Sequence, residues 1–281
     1  MKNQINAVLV SLSVGIFPNT RQDRAITEEV RIRKALGNGA GRWTKYKLPD
    51  DSLKPIREFV TIVRQFHRNH TCIWEDGQQL LSSAARPAYD KRMDEFTAEF
   101  FALVDEFGEQ YPNWIEQAKI MHAGTYEPSD YPSWSLCRQM FNIARTYYPV
   151  PKPEHFNADM QSLYGAGLEA LTEKKMAEAV QDNWDRLLKP VLAMAEKLSS
   201  PDSIFRDTLV ENVREMAALV PALNLTNDPK LAEAAKMIEA QLATLDVETL
   251  RDSRVDRKEA SVKASNIIAR FGAMGLRKLA A

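Results

Sequence analysis

Cysteine and histidine are scarce in this sequence, which has two cysteines and four histidines among 281 residues. Cys72 and Cys137 stand far apart and neither belongs to a CxxC pair, a pattern that favours reduced thiols in a reducing compartment over a disulfide. His67 and His70 have the spacing that places two imidazoles on one helix face. No second cluster supplies the further ligand that a metal ion needs, so the sequence predicts no bound metal and no cofactor.

Long apolar runs are also missing. The longest one near the start, residues 7–17, is interrupted by Ser11 and Ser13 and lacks the basic lead-in and the small-residue cleavage site of a signal peptide. No stretch approaches the roughly 20 consecutive apolar residues that a membrane helix needs. We therefore expect a soluble, cytoplasmic protein without a membrane contact.

Neither sign of charge dominates, because 37 Lys and Arg residues face 38 Asp and Glu residues, for a formal net charge of -1. No global field then favours nucleic acid or an acidic membrane surface. The charges are nevertheless unevenly distributed. Residues 1–70 hold 13 basic and 6 acidic residues, whereas residues 71–135 hold 4 and 12. A role in binding polyanions should therefore be local to the N-terminal part of the chain.

Catalytic motifs are absent as well. The sequence contains no G-x-S-x-G nucleophile elbow and no H-E-x-x-H zinc motif. The glycine-rich stretch at residues 37–41 follows a predicted helix and lacks the Gly-Lys-Ser/Thr ending of a phosphate-binding loop, so it predicts a turn. The neighbouring carboxylates Asp94-Glu95 and Asp105-Glu106 lie on predicted helices whose other faces are apolar, which is typical of solvated charge. The sequence thus predicts a protein that is not an enzyme.

What is present is helical periodicity over most of the chain. Apolar residues recur every three or four positions in the segments 20–36 and 52–69, after Pro87 and throughout the C-terminal half. Asp228-Pro229 has the cap-then-proline pattern of a helix start. The pattern predicts a mainly α fold, a helical bundle with long helices.

A small N-terminal β element accompanies this predicted bundle. Alternating apolar and polar residues predict strands near 7–17 and 42–48, and a further strand is expected near 147–157. We divide the sequence into two regions. Residues 1–158 form an N-terminal α+β region with a basic segment and a connection rich in aromatic residues and proline, and residues 159–281 form a C-terminal helical region.

Basic and aromatic residues concentrate in one segment, between a predicted helix and a predicted strand. Its candidate binding residues are Arg31, Arg33, Lys34, Arg42, Trp43, Lys45, Tyr46 and Lys47. Cationic side chains neutralise phosphates and aromatic faces stack on unpaired bases, so the segment is a candidate surface for nucleic acid or for a protein partner. Alternatively, the long basic side chains cover apolar surface or pair with the acidic middle region. The sequence leaves both interpretations open.

Short patterns spread over most of the chain carry a resemblance. They are Val8-Leu9-Val10-Ser11-Leu12, Gly41-Arg42-Trp43-Thr44-Lys45, Trp74-Glu75-Asp76-Gly77 with Leu80-Leu81, Tyr111-Pro112, Asp130-Tyr131-Pro132, Pro149-Val150-Pro151 with Phe156, and Phe205-Arg206 through Leu223-Asn224-Leu225-Thr226. Together they resemble an uncharacterised protein family of bacteriophages and integrative elements. Genes of this family tend to lie near a MoxR- or CobS-like AAA+ ATPase and a CobT-like protein with a von Willebrand A domain, sometimes beside phage recombination genes. The family has no established catalytic residues.

The resemblance implies an accessory role. We expect a non-enzymatic adaptor of a phage or mobile genetic element that acts in the bacterial host cell with the AAA+ ATPase or the von Willebrand A protein, and that forms a homo-oligomer. The alternative is a nucleic-acid-binding recombination or counter-defence factor that uses the basic segment. A metal-dependent hydrolase built on His67 and His70 is a third, less favoured class, because the pair lacks further ligands.

Overall fold

Helices make up most of the protein. The structure, a computed structural model, describes residues 6–200 and 203–275. Its helices are α1 (Arg24–Arg33), α2 (Lys54–Asn69), α3 (Arg86–His122), α4 (Trp134–Arg138), α5 (Ala158–Ser199), α6 (Thr208–Leu219), α7 (Pro229–Ile238), α8 (Val247–Asp252) and α9 (Arg254–Gly275). Its strands are β1 (Ala7–Gly15), β2 (Thr20–Asp23), β3 (Trp43–Tyr46), β4 (Cys72–Glu75), β5 (Gln78–Ser82) and β6 (Asn142–Pro149).

The predicted mainly α fold is confirmed, but the β structure is larger than a small N-terminal element. One sheet has the strand order β4-β5-β1-β6, and β2 and β3 form a separate antiparallel pair. The hairpin of β4 and β5 was not predicted. Each of its strands is five residues or shorter, which leaves little room for a periodic signal. Its turn at Gly77 has a φ of 76°, and Asp76-Gly77 is a sequence typical of a tight hairpin.

Several boundaries differ from the predicted ones. The predicted helix over 20–36 is wrong in its first turn, because residues 20–23 pair with β3 and the helix begins after Asp23. The Asp23 side chain caps it by accepting a hydrogen bond from the Ile26 backbone N–H at 3.0 Å. The strand expected near 147–157 lies instead at 142–149. It ends where Pro149 and Pro151 remove backbone donors from the ladder.

The chain forms two compact units, and both are discontinuous in sequence. Unit 1 comprises the described part of residues 1–11, 68–89 and 146–281, and unit 2 comprises residues 12–67 and 90–145. These units do not coincide with the expected regions 1–158 and 159–281. Local periodicity shows which face of an element is apolar, whereas it does not show which distant segments share a core.

In unit 1, helix α5 packs along α9 around a core that includes Trp184, Leu188 and Phe271. A smaller cluster joins α5 to the β4–β5 hairpin through Met176, Cys72, Trp74 and Leu80. Helix α7 begins as predicted, since the Asp228 side chain accepts a hydrogen bond from the Lys230 backbone N–H at 2.9 Å.

The core of unit 2 is rich in aromatic side chains. Phe107 of α3 lies 6.0 Å from the ring of Trp134 and 5.7 Å from that of Phe141. Gly108, the next residue of α3, lies directly under the Trp134 indole, and a Cβ atom there would overlap the ring. Phe17 and Leu48, which lie just before β2 and just after β3 in the chain, belong to this core.

Candidate binding surface

A groove in unit 2 lies between α1 and the start of β3. Its volume is about 440 Å³, and its lining includes Val30, Arg31, Leu36, Arg42, Trp43 and the backbone of residues 37–41. The chain reverses over these glycine-rich residues, where Gly39 has a φ of 80° that side chains rarely adopt. One wall is therefore helix, and the other is a glycine loop without bulky side chains.

Helix α1 is fastened to β3 by a hydrogen bond across this reversal. The Trp43 backbone N–H donates to Thr27 Oγ1 at 2.9 Å. Strand β3 pairs antiparallel with β2, with Trp43 opposite Asp23 and Tyr46 opposite Thr20. The helix cap at Asp23 and the indole of Trp43 thus occupy adjacent positions at one end of the groove.

Two of the predicted cations on α1 pair with glutamates of the same helix. Arg31 Nε donates to Glu28 Oε2 at 2.8 Å, and the Arg33 guanidinium lies 3.8 Å from Glu29. The hydrogen bond from Arg31 holds the pKa of Glu28 below its ordinary value. All four side chains face solvent to a large extent, and such exposed pairs are weak enough for a phosphate to compete with the carboxylate.

Lys34 and Arg42 differ from these residues. Neither forms an ion pair with any residue in the described part of the chain. Arg42 is exposed at the rim of the groove, next to Trp43, whose side chain is half-exposed. An unpaired guanidinium beside an accessible indole can bind a ligand that carries both a negative charge and an aromatic ring.

Lys45, in contrast, points inward and is nearly buried. Its Nζ lies 3.0 Å from Asp130 Oδ2 and donates to the Thr125 carbonyl at 3.2 Å, while Arg21 pairs with the other carboxylate oxygen. Burial raises the pKa of Asp130, but the hydrogen bonds and charges of Arg21 and Lys45 outweigh it and bring the pKa below its ordinary value. The alternative in which basic residues pair with the acidic middle region holds for Lys45, which is not accessible to a ligand.

Lys47 is also partly withdrawn from solvent. Its Nζ lies 5.0 Å from the centre of the Phe17 ring, and burial is the main reason that its pKa is lowered. Tyr131 donates a hydrogen bond to the Lys47 carbonyl at 2.8 Å. Tyr46, by comparison, exposes about half of its side chain, and its carbonyl lies 2.7 Å from His122 Nε2.

The eight candidate residues therefore fall into two groups. Lys45 and Lys47 hold β3 against the rest of unit 2. The others are exposed or, for Arg31, partly exposed, with Trp43 and Tyr46 on opposite faces of β3. We call them the α1–β3 surface: Arg31, Arg33, Lys34, Arg42, Trp43 and Tyr46. Sequence reasoning missed Asp130, which lies 109 positions from its partner Arg21 and carries no local signal. It also missed the apolar wall of Val30 and Leu36.

Within residues 6–200 and 203–275, no three His, Cys, Asp or Glu side chains are grouped closely enough to hold a metal ion. None of the helices in those ranges combines the length and apolarity needed to cross a membrane. Cys72 and Cys137 are both free and buried, and burial raises the pKa of each thiol to about 11.

The comparisons with known proteins add no constraint to this geometry. Neither the protein-family models, nor the curated proteins, nor the solved structures gave a match for the chain. The proposals below therefore rest on the arrangement of side chains, together with the resemblance noted above.

Proposed function

We propose that this protein is a nucleic-acid-binding accessory protein, and that the α1–β3 surface binds single-stranded nucleic acid. The observation that carries the proposal is the pair formed by Arg42, which has no ion pair within the described residues, and the half-exposed Trp43 at the rim of the groove. The guanidinium neutralises a phosphate and the indole stacks on a base, which is how proteins hold single strands.

The neighbouring residues fit the same ligand. Arg31, which also lines the groove, adds positive charge near Arg42 and Trp43. Tyr46 is exposed as well, but it lies three residues after Trp43 and so projects from the opposite face of β3. The glycine loop at residues 37–41 lets a sugar-phosphate backbone approach the main chain, since nothing lies within 4 Å of where the side chains of Gly37 and Gly41 would be. An unpaired strand is favoured over a duplex because its bases offer free faces for stacking.

The biological setting follows from the resemblance. A family whose genes sometimes lie beside phage recombination genes would need proteins that handle single strands, and we propose recombination or counter-defence as the process. The protein would act there by binding, without performing chemistry itself.

Fluorescence anisotropy with a labelled oligothymidine strand, titrated with salt, tests this proposal. We expect the affinity to fall steeply as salt rises. The Arg31→Glu/Arg42→Glu double variant should reduce the slope of log K against log salt by about 1.4, since a single strand loses about 0.7 per phosphate contact. Trp43→Ala should weaken binding by about 1 to 3 kcal/mol, with the salt slope unchanged, because it removes stacking and not charge.

The matched control is the double reversal Lys236→Glu/Lys258→Glu. It makes the same change in net charge at two exposed positions of unit 1, on α7 and α9. It should bind the strand almost as tightly as the wild type. Equal binding by the wild type and the Arg31→Glu/Arg42→Glu variant would exclude the α1–β3 surface, and tighter binding of duplex than of single strand would contradict the stacking role of Trp43.

A second candidate function is that of an adaptor for an AAA+ ATPase, as the resemblance implies. It is favoured by an exposed apolar pair, Ile120 and Met121, in the last turn of α3. The next residue, His122, contacts the backbone of Tyr46, so this pair lies beside the α1–β3 surface. Apolar side chains next to cations and aromatic rings are typical of protein-binding surfaces.

Co-purification with the AAA+ ATPase or the von Willebrand A protein encoded nearby tests the adaptor function. Ile120→Ser should reduce capture of the partner and leave binding of oligothymidine unchanged, because it removes apolar surface without adding a charge beside the α1–β3 surface. A failure to form a complex at micromolar concentration, with and without ATP, would rule the adaptor function out.

A further inference from the structure

The first turns of α5, in unit 1, carry an apolar row that faces solvent. Its large members expose between 40% and 58% of their side chains. The row consists of Met160, Tyr164, Gly167 and Leu171. These positions are separated by four, three and four residues, the spacing of a coiled-coil seam.

The opposite face of the same helix is the one that packs inside unit 1. Gly165 is buried against Pro153, and Thr172 and Met176 continue this buried face along the helix. The apolar row is therefore not covered by the unit's own core. Helix α5 therefore has apolar residues on two faces here, and only one of these faces has a partner within the described residues.

We propose that a second copy of this chain covers the row, through antiparallel pairing of the two α5 helices. The spacing of the row supports this occupant, because the row is complementary to itself when reversed. Antiparallel pairing places Met160 opposite Leu171, and Tyr164 opposite Gly167. The Tyr164 ring then lies against Gly167 of the partner copy, which has no side chain. Each contact occurs twice, because a two-fold axis relates the two copies.

Charge also favours the antiparallel direction. Asp159 lies at one end of the row and Lys174 at the other, and neither forms an ion pair within the described residues. Reversal brings Asp159 of each helix toward Lys174 of its partner, although Glu173 lies next to that lysine in the sequence. A parallel pair would place like charges together at both ends, which is unfavourable. The small Ala166 and Ala170 beside the row allow the helix axes to approach closely.

This inference is independent of the proposed nucleic-acid site, which lies on unit 2. A single pair of helices buries less area than a standard stable interface, so we expect a reversible dimer. Sedimentation velocity over about 1 to 100 µM should show the 31.9 kDa chain converting to a species of twice that mass.

Leu171→Asp places a charge in the seam on each copy and should raise the dimer dissociation constant about tenfold or more. Leu136→Asp is the matched control, because Leu136 is also an exposed leucine, on α4 of unit 2, and this variant should dimerise like the wild type. Circular dichroism of both variants verifies that they are folded. A wild type that stays monomeric throughout, or a Leu171→Asp variant that dimerises equally well, would overturn the proposal.

Cross-linking tests the direction of pairing. In the antiparallel dimer residue 160 of one copy lies opposite residue 171 of the other, whereas two copies of residue 160 are about 16 Å apart along the axis. Met160→Cys and Leu171→Cys should therefore cross-link with a short bis-maleimide when mixed, and neither should cross-link alone. The buried Cys72 and Cys137 do not compete for the reagent. Cross-linking by each single variant alone would indicate a parallel pair and would overturn the inference.

Discussion

Lys45 Nζ lies 3.0 Å from Asp130 Oδ2, and the two side chains are only 9% and 2% exposed. Strand β3 is held to the segment before α4 by this pair. Asp130→Asn removes the charge that compensates the buried ammonium group, which should lower the free energy of unfolding by about 3 kcal/mol. Urea denaturation followed by circular dichroism measures the loss.

The double variant Lys45→Met/Asp130→Leu separates the ion pair from its surroundings. It removes both charges at once, so it should be more stable than Asp130→Asn. If Asp130→Asn changed the free energy of unfolding by less than about 0.5 kcal/mol, the pair would belong with the weak surface pairs and not with the buried ones.

The same carboxylate should make stability depend on pH. The pKa of Asp130 in the folded protein is below its ordinary value of 3.8, so the unfolded chain takes up the proton first. The stabilisation is fully present above about pH 4 and is lost as the pH falls through the folded pKa. Urea denaturation at a series of pH values should show the difference between wild type and Asp130→Asn shrinking below pH 4. A constant difference down to pH 2.5 would contradict the assignment.

Gly108 and Gly167 should respond in opposite ways to alanine. Both lie inside helices, where alanine is ordinarily favoured by about 1 kcal/mol. At Gly108 the new Cβ overlaps the Trp134 ring, so Gly108→Ala should destabilise unit 2 by about 1 to 3 kcal/mol. No atom lies within 4 Å at Gly167, so Gly167→Ala should stabilise the chain slightly. Thermal denaturation at low protein concentration compares them, and a stabilised Gly108→Ala would show that the indole moves aside easily.

Arg186 of α5 donates to the backbone carbonyls of Asn69 and Thr71, which belong to the same unit as α5. Its Nη1 lies 3.2 Å from the Asn69 carbonyl and 2.9 Å from the Thr71 carbonyl. Arg186→Gln leaves these acceptors without a charged donor and should cost about 1 to 3 kcal/mol of unfolding free energy. Lys189→Gln is the control, since Lys189 is exposed and forms only a 3.5 Å pair with Asp185. Equal stability of the two variants would contradict a stabilising role for the hydrogen bonds of Arg186.

Cys72 and Cys137 should be slow to react with thiol reagents at neutral pH. Burial both blocks access and raises the pKa of each thiol to about 11, so little thiolate is present. Labelling with Ellman's reagent should reach two equivalents only after denaturation. Rapid labelling of one thiol in the folded protein would show an opening of its core that the structure does not contain.

The sequence was sufficient for the features that depend on neighbouring residues. The periodicity of α2, α3 and α5 predicted their helices, and the Asp228-Pro229 cap predicted the start of α7. The alternation in residues 7–17 predicted β1. Each of these signals repeats within a few residues, and the physical cause, one apolar face or one capping side chain, is local.

Only the tertiary structure separated the candidate residues by their surroundings. Arg42 and Lys45 are both basic residues in a basic segment, and no local pattern distinguishes them. Their difference is set by Asp130, which comes from a distant part of the chain and draws Lys45 inward. The hairpin of β4 and β5 was missed for a different reason, because its strands are too short to show a periodic pattern, although Asp76-Gly77 is a local turn signal.

The sequence by itself determined three features of composition: little cysteine and histidine, a balanced net charge, and an uneven distribution of that charge along the chain. They predict one local binding segment and no catalytic site. Tertiary structure decided how much of that segment faces solvent, because burial and ion pairing depend on residues far away in the chain. It also decided that the first turns of α5 carry an uncovered apolar row, since a periodic pattern cannot by itself show which of its faces is buried.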